Sequence, residues 1–570
     1  MNTELRTNEM YNLTTVLSLS CSCCDFWSWI AHCTGSLGLP AELLRYARDV
    51  PQPNQTSSPF LLAGLLTAFL SGMLRSGLVP VACNQALVTP TFKRGSRLDT
   101  DNYRPNAVTE PLMRLYAANL SARLHDYTES DDLRASTQEG LCPGHSVLHP
   151  IFTLHYIMQR QQHHEQKLFI CLLDLGAYDR VSRPFLCTVL QRLSVHGVML
   201  VAIQAMYASA IVSVPIGGRS GPILPSRTGV HQGCPSSPIG LLADGLHTVL
   251  QGVAVTDGVA LSAGCVLSEL AYADDFVLMS PTTSSLQILI DASSAWCATV
   301  GMQPSPAKTV CMELTSPDSP AFHCTCAGHD LRVVSETKYL GVSFAPGVSV
   351  VPVLQQRRAR MCGAFAVMKR QYGNLGCAQS EGLCLQLFVP FVQSVGSFAC
   401  DWGLLPLTGV AKKQRAAIVT THLGMVKEVA VLSRITPTHV VHADLDEMLL
   451  DSIWLLRAAK LWNALVAGSS FYACMLKDDV ALSHLRCRDW VTGLKHKLAS
   501  VGYVSDLEAD AHKISTQCAS GPSCVRLRMP HDRTCMHPQN WPLAWGHGFA
   551  PNTTALQGHA QVTDPSPCNQ

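Results

Sequence analysis

Three aspartates have the type and spacing that divalent-metal chemistry requires. Asp174 closes the apolar run Leu168-Phe169-Ile170-Cys171-Leu172-Leu173, and Asp274 and Asp275 stand side by side within residues 268–280. A continuous apolar run of this length reads as a buried central strand that delivers one acid to its end. The stretch from Ser268 to Ser280 reads as two short strands with the acid pair at the turn between them. One acid at a strand end and a pair at a neighbouring hairpin is the minimal protein part for two-metal phosphoryl transfer. In that chemistry two carboxylate-held cations, about 3.5–4 Å apart, clamp the attacking and leaving oxygens. Magnesium suits such a site, because it takes few carboxylates and completes its shell with water and substrate phosphates. Taken alone, adjacent aspartates at a hairpin tip are ordinary turn residues, and an aspartate at a strand end is an ordinary turn cap.

The elements that must position these acids are legible in outline. Phe60 to about Gly77 reads as a helix, and Leu87 to Phe92 as a short strand before the basic turn Lys93-Arg94-Gly95. Asn106 reads as the cap of a helix with Val108, Leu112, Leu115, Leu120 and Leu124 on one face. Pro238 stands at a first helical position, followed by the stripe Ile239, Leu242, Ala243, Leu246 and Leu250. Residues 346–427 carry nine basic residues against two acidic ones, Glu381 and Asp401. Beyond about 430 the chain is helix-like to about 500, and then irregular.

Bulk composition narrows the class. With 570 residues, 47% hydrophobic and 15% charged, this is a globular chain and not a disordered one. A formal charge of +1 leaves nucleic acid open as a partner, because a basic groove can hide in a neutral total. The 24 cysteines show no matched pair of C-x-x-C motifs and read as reduced, mostly buried thiols of an intracellular protein. Cys21, Cys23, Cys24 and Cys33, near His32, fit no common closed tetrahedral spacing. The N-terminus makes a poor signal peptide, and the apolar stretch from Phe60 to Leu74 is too short for a span, so no membrane is expected.

Further motifs accompany the acids in chain order. They are Pro90-Thr91-Phe92-Lys93, Asn102-Tyr103-Arg104-Pro105, Gln138-Glu139-Gly140, Leu173-Asp174-Leu175 with Ala177-Tyr178-Asp179, Gly229-Val230-His231-Gln232-Gly233-Cys234-Pro235, Tyr272-Ala273-Asp274-Asp275, Gly301 with Lys308-Thr309, and Tyr339-Leu340-Gly341. Any one is weak, but the ordered set resembles the reverse transcriptases of non-LTR (LINE-like) retrotransposons, over roughly residues 62–345. The resemblance implies an α+β right-hand polymerase, with fingers, a palm built on an antiparallel sheet, and a helical thumb. It implies an RNA-directed DNA polymerase using Mg²⁺, or Mn²⁺ in its place, with an RNA template, a DNA primer and deoxynucleoside triphosphates as partners.

Residue by residue, Asp174 and Asp274 resemble the principal metal ligands, and Asp275 completes the acid pair. Tyr178 resembles the aromatic residue under the incoming sugar, which would clash with a 2′-hydroxyl. Gln232 and Gly233 resemble the loop passing close to template and nucleotide. Lys93 and Arg104 resemble the basic fingers residues on the triphosphate, and Lys308 resembles a lysine that donates a proton to pyrophosphate. The basic stretch holding Arg357, Arg358 and Arg360 follows where the family places its thumb, so these arginines are expected on the template–primer backbone.

Departures from the family pattern support a second reading. The run Asp174-Leu175-Gly176-Ala177-Tyr178-Asp179 is one residue shorter than the family's usual spacing. Gly140-Leu141-Cys142-Pro143-Gly144-His145 lacks two cations that the family often carries, and Ser305 replaces a common Asn. A decayed, nucleic-acid-binding relative of a retroelement polymerase would look like this. An RNA-dependent RNA polymerase shares the paired acids, but Tyr178 argues against it. The expected organisation is a segment of unknown role (1–60), fingers and palm (61–345), a basic helical thumb (346–430) and a C-terminal region (431–570). The segment before the resemblance is too short for an endonuclease, and no ribonuclease H signature is present. Cys518, Cys524, His531 and Cys535 have the residue types of a zinc knuckle at loose spacing.

Overall fold

The computed structural model describes residues 61–500 apart from internal stretches that include 176–179, 216–220, 231–238, 316–321, 401–408 and 477–489. Expectations for residues 1–60 and for Cys518, Cys524, His531 and Cys535 fall outside the described residues.

Helix α1, Leu61–Ser76, ends at Gly77, whose φ of +63° lets its N–H turn back onto Met73 O at 3.0 Å. Strand β1, Gln85–Phe92, then pairs antiparallel with β2, Tyr103–Thr109, from Ala86 opposite Thr109 to Phe92 opposite Tyr103. This corrects the helix expected from Asn106. Residues 103–109 are extended because β1 offers them a full ladder, and Asn106 Nδ2 donates across it to Thr91 Oγ1 at 2.8 Å. Helix α2, Pro111–Ser130, begins instead at a proline, whose missing N–H costs nothing in a first turn. Strands β4, Ile211–Ser213, and β5, Ile223–Pro225, complete a sheet in the order β2-β1-β4-β5.

The second sheet is the centre of the fold. Helix α3, Leu148–His163, precedes β3, Phe169–Asp174, and α4, Arg183–Arg192, and α5, Gly197–Ala208, follow it. After α6, Ile239–Val253, and the short pair β6, Val259–Ala260, and β7, Val266–Leu267, come β8, Glu269–Tyr272, and β9, Asp275–Ser280. Helix α7, Thr283–Thr299, leads to β10, Val310–Glu313, β11, Thr325–Cys326, β12, His329–Asp330, and β13, Arg332–Val333. Five of these strands form one sheet in the order β13-β10-β3-β9-β8, with β3 in the middle.

Strand alternation divides the core in two. Ile170, Leu270, Val277, Met279 and Met312 point into one cluster, with α3 and the C-terminal helices. Cys171, Leu173, Ala271, Phe276, Leu278 and Cys311 point into the other, with α1, α2 and α4 to α7. The sheet is antiparallel except where β10 pairs in parallel with β13, and it is covered on both faces, so β3 is apolar up to its terminal Asp174 and does not alternate with polar residues. Cys83, Cys171, Cys297, Cys311, Cys324 and Cys326 are buried free thiols, as the cysteine pattern suggested.

Beyond the hairpin of β14, Thr337–Tyr339, and β15, Val342–Phe344, the described chain is helical. Helices α8, Val351–Leu375, and α9, Glu381–Phe388, are followed by the short α10, Ser394–Ser397. Then come α11, Gly409–Val429, α12, Thr438–Leu445, α13, Leu450–Ala467, and α14, Trp490–Ser500. Trp454, Trp462 and Trp490 are buried in the same cluster as β3's Ile170, so this region packs onto the sheet. No helix of the described residues is long and apolar enough to cross a membrane.

Truncating Ile170, which is fully buried, should cost about 2–5 kcal/mol by the usual cavity penalty, whereas Leu65→Ala, at a side chain 61% exposed, should cost under about 0.5 kcal/mol. Denaturant unfolding of the two variants beside the parent checks this.

Candidate active site

Strand register brings the acids together. β3 pairs with β9 through six consecutive residues, and the last pair sets Asp174 opposite Asp275. Opposed residues of an antiparallel pair project from the same face, with Cβ atoms about 4.5–5.5 Å apart. β8 and β9 form a tight hairpin in which Tyr272 faces Asp275, so Ala273 and Asp274 make the turn. The ladder is unbroken up to Asp174, so no bulge lies before that residue. The shortened 174–179 run therefore leaves the register of Asp174 with β9 unbroken.

The electrostatics are those of a crowded anion site. Burial, then the neighbouring Asp275 charge, with a smaller push from Asp174, lifts the Asp274 carboxyl from 3.8 to about 6, against lowering by a backbone hydrogen bond and by Arg104. Asp275 reaches solvent on one side, yet loss of surrounding water and the Asp174 charge raise its carboxyl too, again opposed by Arg104. Arg104 is exposed on β2, and its charge is felt by both acids. One guanidinium acting on Asp274 and Asp275, beside a third carboxylate at Asp174, leaves an excess of negative charge. Among the described residues no three His, Cys, Asp or Glu side chains converge tightly enough to cage an ion.

Other expected residues are distributed unevenly. Lys308 is exposed on the loop Ser305–Thr309, which is bound to the end of β3 in both directions. Ser305 N donates to Asp174 O at 2.9 Å, and Asp174 N donates to Thr309 Oγ1 at 3.4 Å. Lys93 is exposed one residue beyond β1, where its N–H donates to Asn102 O at 2.8 Å. Tyr178, Gln232 and Gly233 lie outside the described residues. The chain flanking them is tied together: Gly229 N donates to Val181 O at 3.0 Å, and Arg183 Nε donates to Gly229 O at 2.8 Å.

Arg357 corrects an expectation. It is 2% exposed, donates to Gly341 O at 2.7 Å and lies 4.6 Å from the centre of the Phe398 ring, so it supports the β14–β15 hairpin and cannot reach a phosphate backbone. Arg358 and Arg360, on the same helix, are exposed.

Residue-type reasoning assigned no role to several groups behind the acids. Tyr339 is buried close to Asp275, Glu139 and Tyr272, and burial, with those charges, pushes its hydroxyl far up. It ends β14 at a turn whose Leu340 and Gly341 both have positive φ, +45° and +82°, the pattern of a type I′ hairpin. Gln138 and Glu139 are buried against the acidic hairpin, and the signal in sequence was their place in the ordered motif set.

Comparison with known proteins agrees with this geometry. Residues 92–344 match the family described as Reverse transcriptase (RNA-dependent DNA polymerase). This chain carries a reverse transcriptase domain. It is similar to the retrovirus-related Pol polyprotein of a type-2 retrotransposable element from Drosophila melanogaster, 24% identical over 54% of this chain and 29% of that one. It is also similar to the Pol polyprotein of a type-1 retrotransposable element from Popillia japonica, 26% identical over 34% of this chain and 33% of that one. The resemblance to non-LTR elements is thereby met, although the chain spans a third or less of these relatives' length. Among solved structures, apo telomerase from Candida tropicalis aligns over 77% of this chain and 72% of its own at 12% identity, with a TM-score of 0.38, too slight a likeness to argue from.

The raised Asp274 carboxyl yields a stability prediction. Between about pH 4 and 6 the folded chain keeps a proton that the unfolded chain, at 3.8, has lost. The cost of burying the ionised acid is therefore full above about pH 6 and disappears below about pH 4. Asp274→Asn should stabilise the metal-free reverse transcriptase domain by on the order of 1–3 kcal/mol at pH 7.5, and by little at pH 4. Denaturant unfolding in EDTA at the two pH values measures this.

Proposed function

We propose that the protein is an RNA-directed DNA polymerase of a non-LTR retroelement. It adds deoxynucleoside monophosphate to a primer 3′-hydroxyl on an RNA template and releases pyrophosphate. The observation that carries this reading is the register that sets Asp174 opposite Asp275, with Asp274 in the adjoining turn and Arg104 close enough to affect both acids of the pair.

Asp174, Asp274 and Asp275 would hold Mg²⁺ or Mn²⁺, which when bound supplies charge neutralisation at the attacking and leaving oxygens. The chain's own part is orientation. Arg104 and Lys93 present cations from the β1–β2 hairpin for the triphosphate, and a guanidinium fork matches phosphate oxygens. Tyr178 would exclude a ribose 2′-hydroxyl, Gln232 and Gly233 would line the nascent pair, and Lys308 would protonate pyrophosphate from a loop bound to Asp174. Helices α8 to α11 form the thumb in this reading, with Arg358 and Arg360 toward the template–primer backbone. An RNA template and a nuclear or cytoplasmic location belong to the same proposal.

A second reading, a decayed palm that binds nucleic acid without catalysis, is favoured by the shortened 174–179 run. Primer extension on a primed RNA with Mg²⁺ separates the two. The parent should extend, and Asp275→Ala should lose at least about 10³-fold in rate. Equal extension by both would remove these acids from the mechanism. Duplex bound without extension, and equally well with or without Mg²⁺, would establish the decayed palm.

The thumb assignment has its own test. Replacing Arg358 and Arg360 with Ala should weaken primer–template binding across all sequences and lower the salt slope by about 2. Arg357→Ala should instead lower the melting temperature and leave that slope unchanged.

A further inference from the structure

The turn that presents the acid pair is not built to hold itself. Ala273 has a φ of +58°, a conformation that L residues rarely adopt, at a hairpin position where glycine is the usual choice. One side chain takes both of its backbone polar groups. Gln138 Oε1 accepts from Ala273 N at 2.9 Å, and Gln138 Nε2 donates to Ala273 O at 3.4 Å. The same Oε1 accepts from Gly140 N at 2.8 Å, which fixes the carboxamide. Gln138 is 2% exposed, so these bonds do not compete with bulk water.

The backbone around it is fitted to the turn. Ala271 N donates to Thr137 O at 3.0 Å and Glu139 N donates to Ala271 O at 2.9 Å, a short parallel bridge beside β8. At Gly140 a Cβ would lie 2.1 Å from Ala273 N, so only glycine allows this approach. Behind the bridge Glu139 is 1% exposed and is held by His145 Nδ1 at 2.5 Å and by the Tyr472 hydroxyl.

We propose that Gln138 is a positioning residue for the acid pair. Its carboxamide holds the Ala273 peptide in the left-handed conformation and so determines where Asp274 and Asp275 stand relative to Asp174. Gln138 touches none of these carboxylates in the described contacts and acts through the turn. The proposal rests on reading the pair as the metal-holding acids, but the holding of the turn can be measured whether or not the protein polymerises.

A purely structural glutamine is the competing account, and it makes a different prediction. Glycine adopts positive φ without help. If Gln138 acts by holding Ala273, its loss should matter less in an Ala273→Gly background. If it only fills the core, the two substitutions should act independently.

The experiment uses the full chain and two readouts that need no primer extension. Hydrogen–deuterium exchange follows the peptide spanning 269–280, and electron paramagnetic resonance titrates Mn²⁺. Gln138→Met keeps volume but leaves two buried N–H groups unsatisfied. It should speed exchange at the Ala273 amide at least about tenfold and weaken Mn²⁺ binding about five- to tenfold. Ile170→Ala, chosen to lower stability without touching the turn, should leave both near the parent once compared at equal distance below each melting temperature. Adding Ala273→Gly to Gln138→Met should recover half or more of the lost Mn²⁺ affinity. Should Gln138→Met not fold, Gln138→Glu keeps an acceptor for both amides, loses the donor to Ala273 O, and should show a smaller rise in exchange.

Exchange and Mn²⁺ affinity no different from the Ile170→Ala control, or losses that simply add in the Ala273→Gly background, would overturn the proposal. A parent that binds no Mn²⁺ would refute the metal reading of the acids, and the exchange comparison would then decide whether Gln138 holds the turn.

Discussion

Asp174 meets Asp275 because six residues of β3 pair without a break against β9, and most of the domain either protects that register or uses it. A slip of one residue would turn Asp174 to the opposite face and would also exchange the two cores, since Ile170 and Cys171 face different clusters. Apolar packing on both sides of the sheet thus makes the chemical register a by-product of burial. Many buried side chains would have to be exposed before the acids could move apart.

The same packing makes the site unfavourable as it stands. It gathers like charges where water is scarce, and burial and mutual repulsion both raise Asp274 and Asp275. A strained residue, Ala273, sits between Tyr272 and the pair. Charge crowding and backbone strain of this kind persist only where the surroundings impose them. Here the surroundings are a sheet fixed by its core and a buried bridge of residues 137–140.

Much of this architecture was legible in the sequence because it is local. The run from Leu168 to Leu173 is uninterrupted apolar chain closed by Asp174, and the stretch from Ser268 to Ser280 breaks at its acids, so β3, β8 and β9 could be read nearly to the residue. What escaped was decided by partners far along the chain. Asn106 looks like a helix cap until β1 supplies it with a ladder. Arg357 counts as one more thumb cation until Gly341 and Phe398 enclose it. Gln138 was visible as part of a motif, but its partner Ala273 lies 135 residues on, beyond the reach of any periodicity or spacing rule.

Tyr472 reaches Glu139 across 333 residues of sequence. A chain made from its N-terminus completes the five-stranded sheet, at β13, well before that hydroxyl exists. In the complete chain the other side-chain partner of Glu139 is His145, only six residues on. Contacts of such long range form late and slowly. The order of synthesis therefore separates assembly of the acids from completion of what backs them. A chain ending between residues 333 and 472 would hold Asp174, Asp274 and Asp275 and the strands that carry them, but not the hydroxyl that backs Glu139.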